Sequence, residues 1–173
     1  MDIDIFWQRV DQMLAQRDDL APIFNPGATE EELQALETEL GYPLPTDLRE
    51  SLAIHNGLCR WVPNVPQLSS VSNISSNLAY GSGQLENMPL EDISFDPEIK
   101  PSKWSRFWIP FAEDGSGNLA CIDLDPTEAG TVGQVIDFDY HGELHHQSNS
   151  YLDWIDEHFV SALREAFDLD YIE

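Results

Sequence analysis

Basic residues are the first scarcity. Eight Lys or Arg stand against 32 Asp or Glu in 173 residues, a formal net charge of −24. Direct nucleic-acid binding needs clustered Lys and Arg, and docking on an anionic membrane needs them too, so the composition argues against both. Cysteine is nearly absent. Cys59 and Cys121 are the only two and lie outside any C-x-x-C spacing, so neither a disulfide framework nor a zinc knuckle follows, and both are expected as small buried thiols. No stretch approaches the ~20 apolar residues of a membrane span. The opening Met1-Asp2-Ile3-Asp4-Ile5 is acidic where a secretory signal begins with basic residues and a long apolar run; the expected location is the cytoplasm. Internal repeats, a P-loop, a Rossmann fingerprint and G-x-S-x-G are all missing, so no catalytic motif and no cofactor is indicated.

What is present suits a globular chain. Hydrophobic residues make up 42% and aromatics 10%, enough for a sizeable core, and the length predicts a single domain over residues 1–173. The charge is uneven: residues 113–173 hold fifteen Asp or Glu and one base, Arg164, a local net of −14 out of −24. Such a field steers a basic partner toward a surface, and it equally aids solubility.

Apolar periodicity outlines the elements. Ile3, Phe6, Trp7, Val10, Met13 and Leu14 recur at helical spacing. Asn25-Pro26-Gly27 reads as a break. Thr29 with Glu32 forms a capping box for a helix whose stripe is Leu33, Leu36 and Leu40 and whose stop is Gly41. After Pro43 and Pro45, a third helix starts at Thr46 with Leu48, Leu52 and Ala53 facing inward, and His55-Asn56-Gly57 closes it. From there to Lys103 the pattern fades into Pro, Ser and Asn and reads as loops with at most one short helix or edge strand. Strands follow. Trp104 to Ala112 contains Pro110, marking an edge or a bulge. Asp114 to Asn118 is turn material, and Leu119 to Leu124 alternates. Val135 to Tyr140 places Ile136, Phe138 and Tyr140 opposite Asp137 and Asp139. His141-Gly142 turns into Glu143–Gln147. Ser150 with Asp153 makes a second capping box, opening a helix with Tyr151, Trp154, Ile155, His158 and Phe159. The order predicts an α+β fold, a mainly antiparallel central sheet with helices packed on one face.

Chemistry is weakly signalled. His141, His145 and His146 lie near Asp137, Asp139 and Glu143, ligand types suited to zinc or iron. Adjacent strand residues point to opposite faces, so His145 and His146 do not share a cluster, and no metal site is expected. The Asp114–Asn118 segment lacks the closing Glu of a calcium loop. Asp123 and Asp125 could share a strand face as a carboxylate pair, but nothing supplies a nucleophile or matched base.

Two blocks resemble the SUKH superfamily, in its Smi/Knr-type branch. One runs from Gly27-Ala28-Thr29-Glu30-Glu31 through Leu40-Gly41 and Leu44-Pro45-Thr46-Asp47-Leu48-Arg49 to His55-Asn56-Gly57. The other comprises Trp108-Ile109-Pro110-Phe111, Asp114-Gly115-Ser116-Gly117-Asn118 and Cys121 to Pro126, continuing through Gly133 to Ile136 and Ser148 to Trp154. The resemblance implies a SUKH-like single α+β domain that binds proteins and is not an enzyme. Bacterial members look like immunity proteins neutralising polymorphic toxins, nucleases and deaminases among them; fungal members look like signalling scaffolds linked to cell-wall synthesis. Binding residues in such a family vary with the partner, so none transfers.

The leading expectation is an immunity protein that binds a basic cognate toxin through Glu113, Asp114, Asp125, Asp137, Asp139 and Glu143. The alternative is an intracellular adaptor or regulatory scaffold of the Smi/Knr type. A metal-dependent hydrolase or deaminase-like enzyme using Asp123, Asp125 or His145 ranks behind both.

Overall fold

A computed structural model describes residues 2–170. The first helix, α1 (Ile3–Leu14), is capped by the Asp2 carboxylate, which accepts from the amides of Asp4 and Ile5. It buries Ile3, Phe6, Trp7, Val10 and Met13. Asn25 and Pro26 do not simply break the chain: Phe24–Pro26 is a short strand (β1) paired antiparallel with β2 (His55–Leu58). Helix α2 (Glu30–Leu40) has the full Thr29/Glu32 capping box and ends on Gly41 at φ +81°. Helix α3 (Thr46–Ile54) buries Leu48 and Leu52 as expected, but Ser51 takes the inward place and Ala53 is exposed. Ser51 Oγ accepts from Trp7 Nε1 at 2.6 Å and from the Tyr151 hydroxyl at 3.0 Å, so a hydroxyl serves there as the common acceptor for two buried aromatics.

The stretch 58–103 is more ordered than its composition predicts. It contributes β3 (Gln67–Leu68), the 14-residue helix α4 (Val71–Gln84), a 3-10 turn at Leu90–Asp92 and β4 (Ser94–Phe95). Ser70 caps α4 by accepting from the Asn73 amide. The helix escapes periodicity because Ser, Asn and Gly fill most of it and only Ile74 and Gly81 are buried. Gly81 lies against the Trp104 indole, where a Cβ would come within 2.2 Å of the ring.

The main sheet has the order β3-β5-β6-β7-β8-β4, with β5 (Trp108–Glu113), β6 (Leu119–Asp123), β7 (Gln134–Phe138) and β8 (Glu143–Ser148) in its middle. All neighbours are antiparallel except β4, which runs parallel to β8. Pro110 does mark a bulge, between Pro110 and Ala112, and it lies where β5 is paired on one side only, because β3 covers just Ala112 and Glu113. The chain closes with α5 (Tyr151–Trp154), a π-helical stretch at Ile155–Val160 and α6 (Ser161–Phe167). At Ser150 the capping box is half made: its Oγ accepts from the Asp153 amide but donates back to the Asp153 carboxylate.

Two cores sandwich the sheet. On one face Ile109, Phe111, Ile122 and Val135 pack with residues of α1, α2, α3 and the C-terminal helix, and the Phe111 ring meets Trp154 edge-on at 4.9 Å. On the other, Trp108, Cys121, Ile136, Phe138 and Leu144 are covered by Leu85, Ile93, Ile99 and Trp104. Helices therefore occupy one face, as the element order implies, and the irregular segment after α4 seals the other. Cys121 is buried as expected; Cys59 is not, and its thiol is exposed, donating to the Pro22 carbonyl at 3.3 Å. It stands just after the end of β2. Among the described residues no helix is long and apolar enough to cross a membrane.

Candidate functional site

Strand register decides which acidic residues meet. Glu113 pairs with Leu119, Leu119 with Phe138, and Phe138 with Leu144. This row crosses four strands at about 4.8 Å spacing. Asp114, Asp139 and Glu143 lie one step beyond or beside it, at the end of the sheet that carries the β5–β6 and β7–β8 turns. Asp137 stands one residue inside, opposite Ala120 and His145. Five of the six predicted carboxylates thus share one end. Asp125 does not. It follows the far end of β6, ~14 Å away along four strand steps, and its carboxylate accepts from Lys100 Nζ at 2.6 Å.

The turns are built by their own side chains. Asp114 Oδ1 accepts from the amides of Ser116 (2.7 Å) and Asn118 (3.2 Å), and its Oδ2 from Asn118 Nδ2 at 2.9 Å. Gly115 and Gly117 supply the positive φ values of +78° and +110° that this turn requires. Asp139 accepts from the His141 amide and sits 3.0 Å from its Nδ1. Among the described residues Glu113 has no hydrogen bond or ion pair to its carboxylate, and Glu143 has His145 Nε2 alone, at 3.9 Å. Among the described residues no Lys or Arg pairs with any of these five. Arg17 holds Asp19, Arg49 holds Glu30 and Glu37, and Arg60 turns to the carbonyls of Ala21 and Pro22.

Asp137 has the most perturbed acid of the group. Burial pushes its carboxyl up to about 6, and the neighbouring Asp114 and Asp139 charges add to the rise while His145 opposes it. It lines a recess of about 90 Å³ with Pro66, Ala120 and Trp154.

Aromatic rings surround the β5–β6 turn; of these only Tyr140 belongs to a periodic run, and Trp61 and Tyr80 carry no such signal. Trp61 is 54% exposed although its ring edge rests on Gly115, where a Cβ would come within 2.2 Å. Tyr80, 38% exposed, brings its hydroxyl to 3.4 Å from the Gly117 carbonyl, and the Tyr140 ring lies against the same glycine. The Tyr80 hydroxyl is raised by burial first, then by Tyr140, Asp114 and Glu113, so ring and carboxylates share one local field.

The enzyme candidates are not brought together. Asp123 is fully buried on the sheet face opposite Asp137, its Oδ1 accepting from the Asp125 amide and its Oδ2 from Gln134 Nε2, both at 3.0 Å. It ties the end of β6 to β7, and His145 lies toward the other end of the sheet. Among the described residues no three His, Cys, Asp or Glu side chains are grouped to hold a metal ion.

The chain is 32% identical over 131 residues to the cell wall biosynthesis/cell cycle regulator smi1 of Schizosaccharomyces pombe, an alignment covering 65% of this chain and 26% of that protein. It thus spans about a quarter of the length of this relative. The SMI1 / KNR4 family (SUKH-1) matches residues 27–157, from two residues before the Thr29 cap of α2 to the π-helical stretch, and so takes in the six-stranded sheet and both acidic turns. With most of its length matched, this α+β chain belongs to the SMI1 / KNR4 family (SUKH-1).

Proposed function

We propose that this chain is a non-catalytic binding domain acting as an immunity protein, which neutralises a basic toxin, of nuclease or deaminase type, by covering its active cleft. The observation that carries the reading is the sheet end where Glu113, Asp114, Asp137, Asp139 and Glu143 stand without a Lys or Arg partner among the described residues. Enzymes that cleave or edit nucleic acid present cationic surfaces to phosphate. An acidic inhibitor is complementary to that surface, which raises the encounter rate and opposes neutral or acidic competitors. Asp125, paired with Lys100 at the other end, lies farther from the patch than the ~8 Å screening length at physiological salt and is assigned to that ion pair, which ties the end of β6 to the segment of Lys100.

The test is an affinity pulldown from the native cell at low and high salt, repeated with Glu113, Asp139 and Glu143 changed together to Lys. The expected result is one basic toxin-like protein, inhibited by the wild type and lost with the triple variant. Unchanged capture by the triple variant removes this surface as the site.

A second reading is supported by the fission-yeast relative, a cell wall biosynthesis/cell cycle regulator: an intracellular adaptor or regulatory scaffold that binds a host protein. Recovery of housekeeping proteins alone, with no inhibited activity, selects it.

A further inference from the structure

Beside the acidic turns lies a recess of about 210 Å³ whose lining includes Cys59, Arg60, Trp61, Gln67, Asn73 and Glu113. We propose that this recess is an arginine socket: a guanidinium from a basic protein partner stacks on Trp61 and is received by the Glu113 carboxylate. The inference rests on the reading of the chain as a binder of basic protein and names the side chain that anchors it.

Three observations converge. A tryptophan held in place by Gly115 yet 54% exposed is a large apolar surface left open to water, and tryptophan is among the residues most enriched at the energetic centres of protein interfaces. Glu113, in the same recess, has a carboxylate with no hydrogen-bond or ionic partner among the described residues. Of the polar groups beside them, Gln67 Nε2 donates to the Val62 and Val65 carbonyls, and the Arg60 guanidinium donates to those of Ala21 and Pro22 at 3.4 Å. The socket therefore offers one aromatic surface and one free acid. Arginine meets both, because its planar group stacks on a ring while its N–H fork engages a carboxylate; lysine, a compact and strongly hydrated point charge, satisfies the acid alone. The further rings of Tyr80 and Tyr140 and the carboxylates around Gly117 extend the surface beyond one side chain, which fits a protein segment rather than a free amino acid.

The experiment compares two peptides of equal length and charge, one of Arg-Gly repeats and one of Lys-Gly repeats, titrated into the full chain by calorimetry. The Arg peptide is expected to bind about five-fold tighter, the size of one partly exposed cation–π contact. Trp61→Ala abolishes the difference while changing Lys-peptide affinity less than about two-fold, and Trp61→Phe restores part of it. Glu113→Gln weakens the Arg peptide with the Trp61 surface intact, which tests the socket independently should Trp61→Ala unfold. Equal affinity for the two peptides, or a preference that survives Trp61→Ala, overturns the proposal. Its fate is separable from that of the toxin reading. A captured toxin that Trp61→Ala still binds at full strength removes the socket and leaves the reading. An Arg preference with no toxin recovered removes the reading and leaves the socket.

Discussion

At the scale of single residues, the carboxylate of Asp137 is held where its charge is unwelcome. Burial and the adjacent Asp114 and Asp139 raise it from 3.8 to about 6 in the folded chain. The folded state thus keeps its proton to higher pH than the unfolded state, and stability falls as pH rises from about 4 through about 6. Asp137→Asn is expected to stabilise the chain at about pH 7, by on the order of 1 kcal/mol once solvent screening is allowed for, and to be neutral near pH 3.5. Urea denaturation at the two pH values checks it; an equal effect at both would assign the gain to packing. The sequence showed that Asp137 and Asp139 alternate with apolar residues, which places them on the strand's other face. It did not show that this face is half covered by Trp154 and Pro66, since burial by a distant helix leaves no local mark. Trp61 was illegible for the opposite reason: an aromatic outside any periodic run carries no sign of whether it is inside or out.

Among elements, those with strong local signals were legible. Helix α2 was readable from cap to stop because Thr29, Glu32, the leucine stripe and Gly41 each specify a position. Its cap also yields a clean test. Thr29→Ala removes the acceptor for the Glu32 amide and is expected to cost about 1 kcal/mol in chemical denaturation, with the native fold retained. A negligible loss would mean that tertiary packing alone sets this helix start. Helix α4 was hidden because most of its residues are small or polar and its order comes from packing against α2 and β5. The strands β3 and β4 were hidden by their length of two residues. Of the six acidic residues read as contacts, five meet because the antiparallel register aligns two turns at one end of the sheet. Asp125 fell away because one strand length separates the ends, a distance along the sequence that becomes a distance across the molecule.

For the whole molecule, the charge of −24 acts on encounter more than on persistence. Exposed charges are screened beyond about 8 Å at physiological salt, while charges buried in an interface are screened much less. Association with a basic partner is accordingly expected to slow roughly ten-fold or more between low and high salt, with dissociation changing far less. Stopped-flow kinetics reads both rates; a dissociation rate that carries most of the salt effect would place the charges inside the interface. The sheet's borders bear on how any partner is met. Both edge strands, β3 and β4, are only two residues long, too short to template the addition of a foreign strand. Recognition at the main sheet is thereby left chiefly to side chains on its turns and surfaces. A surface of this kind can change its target by point substitution, because no change of target has to pass through a change of register.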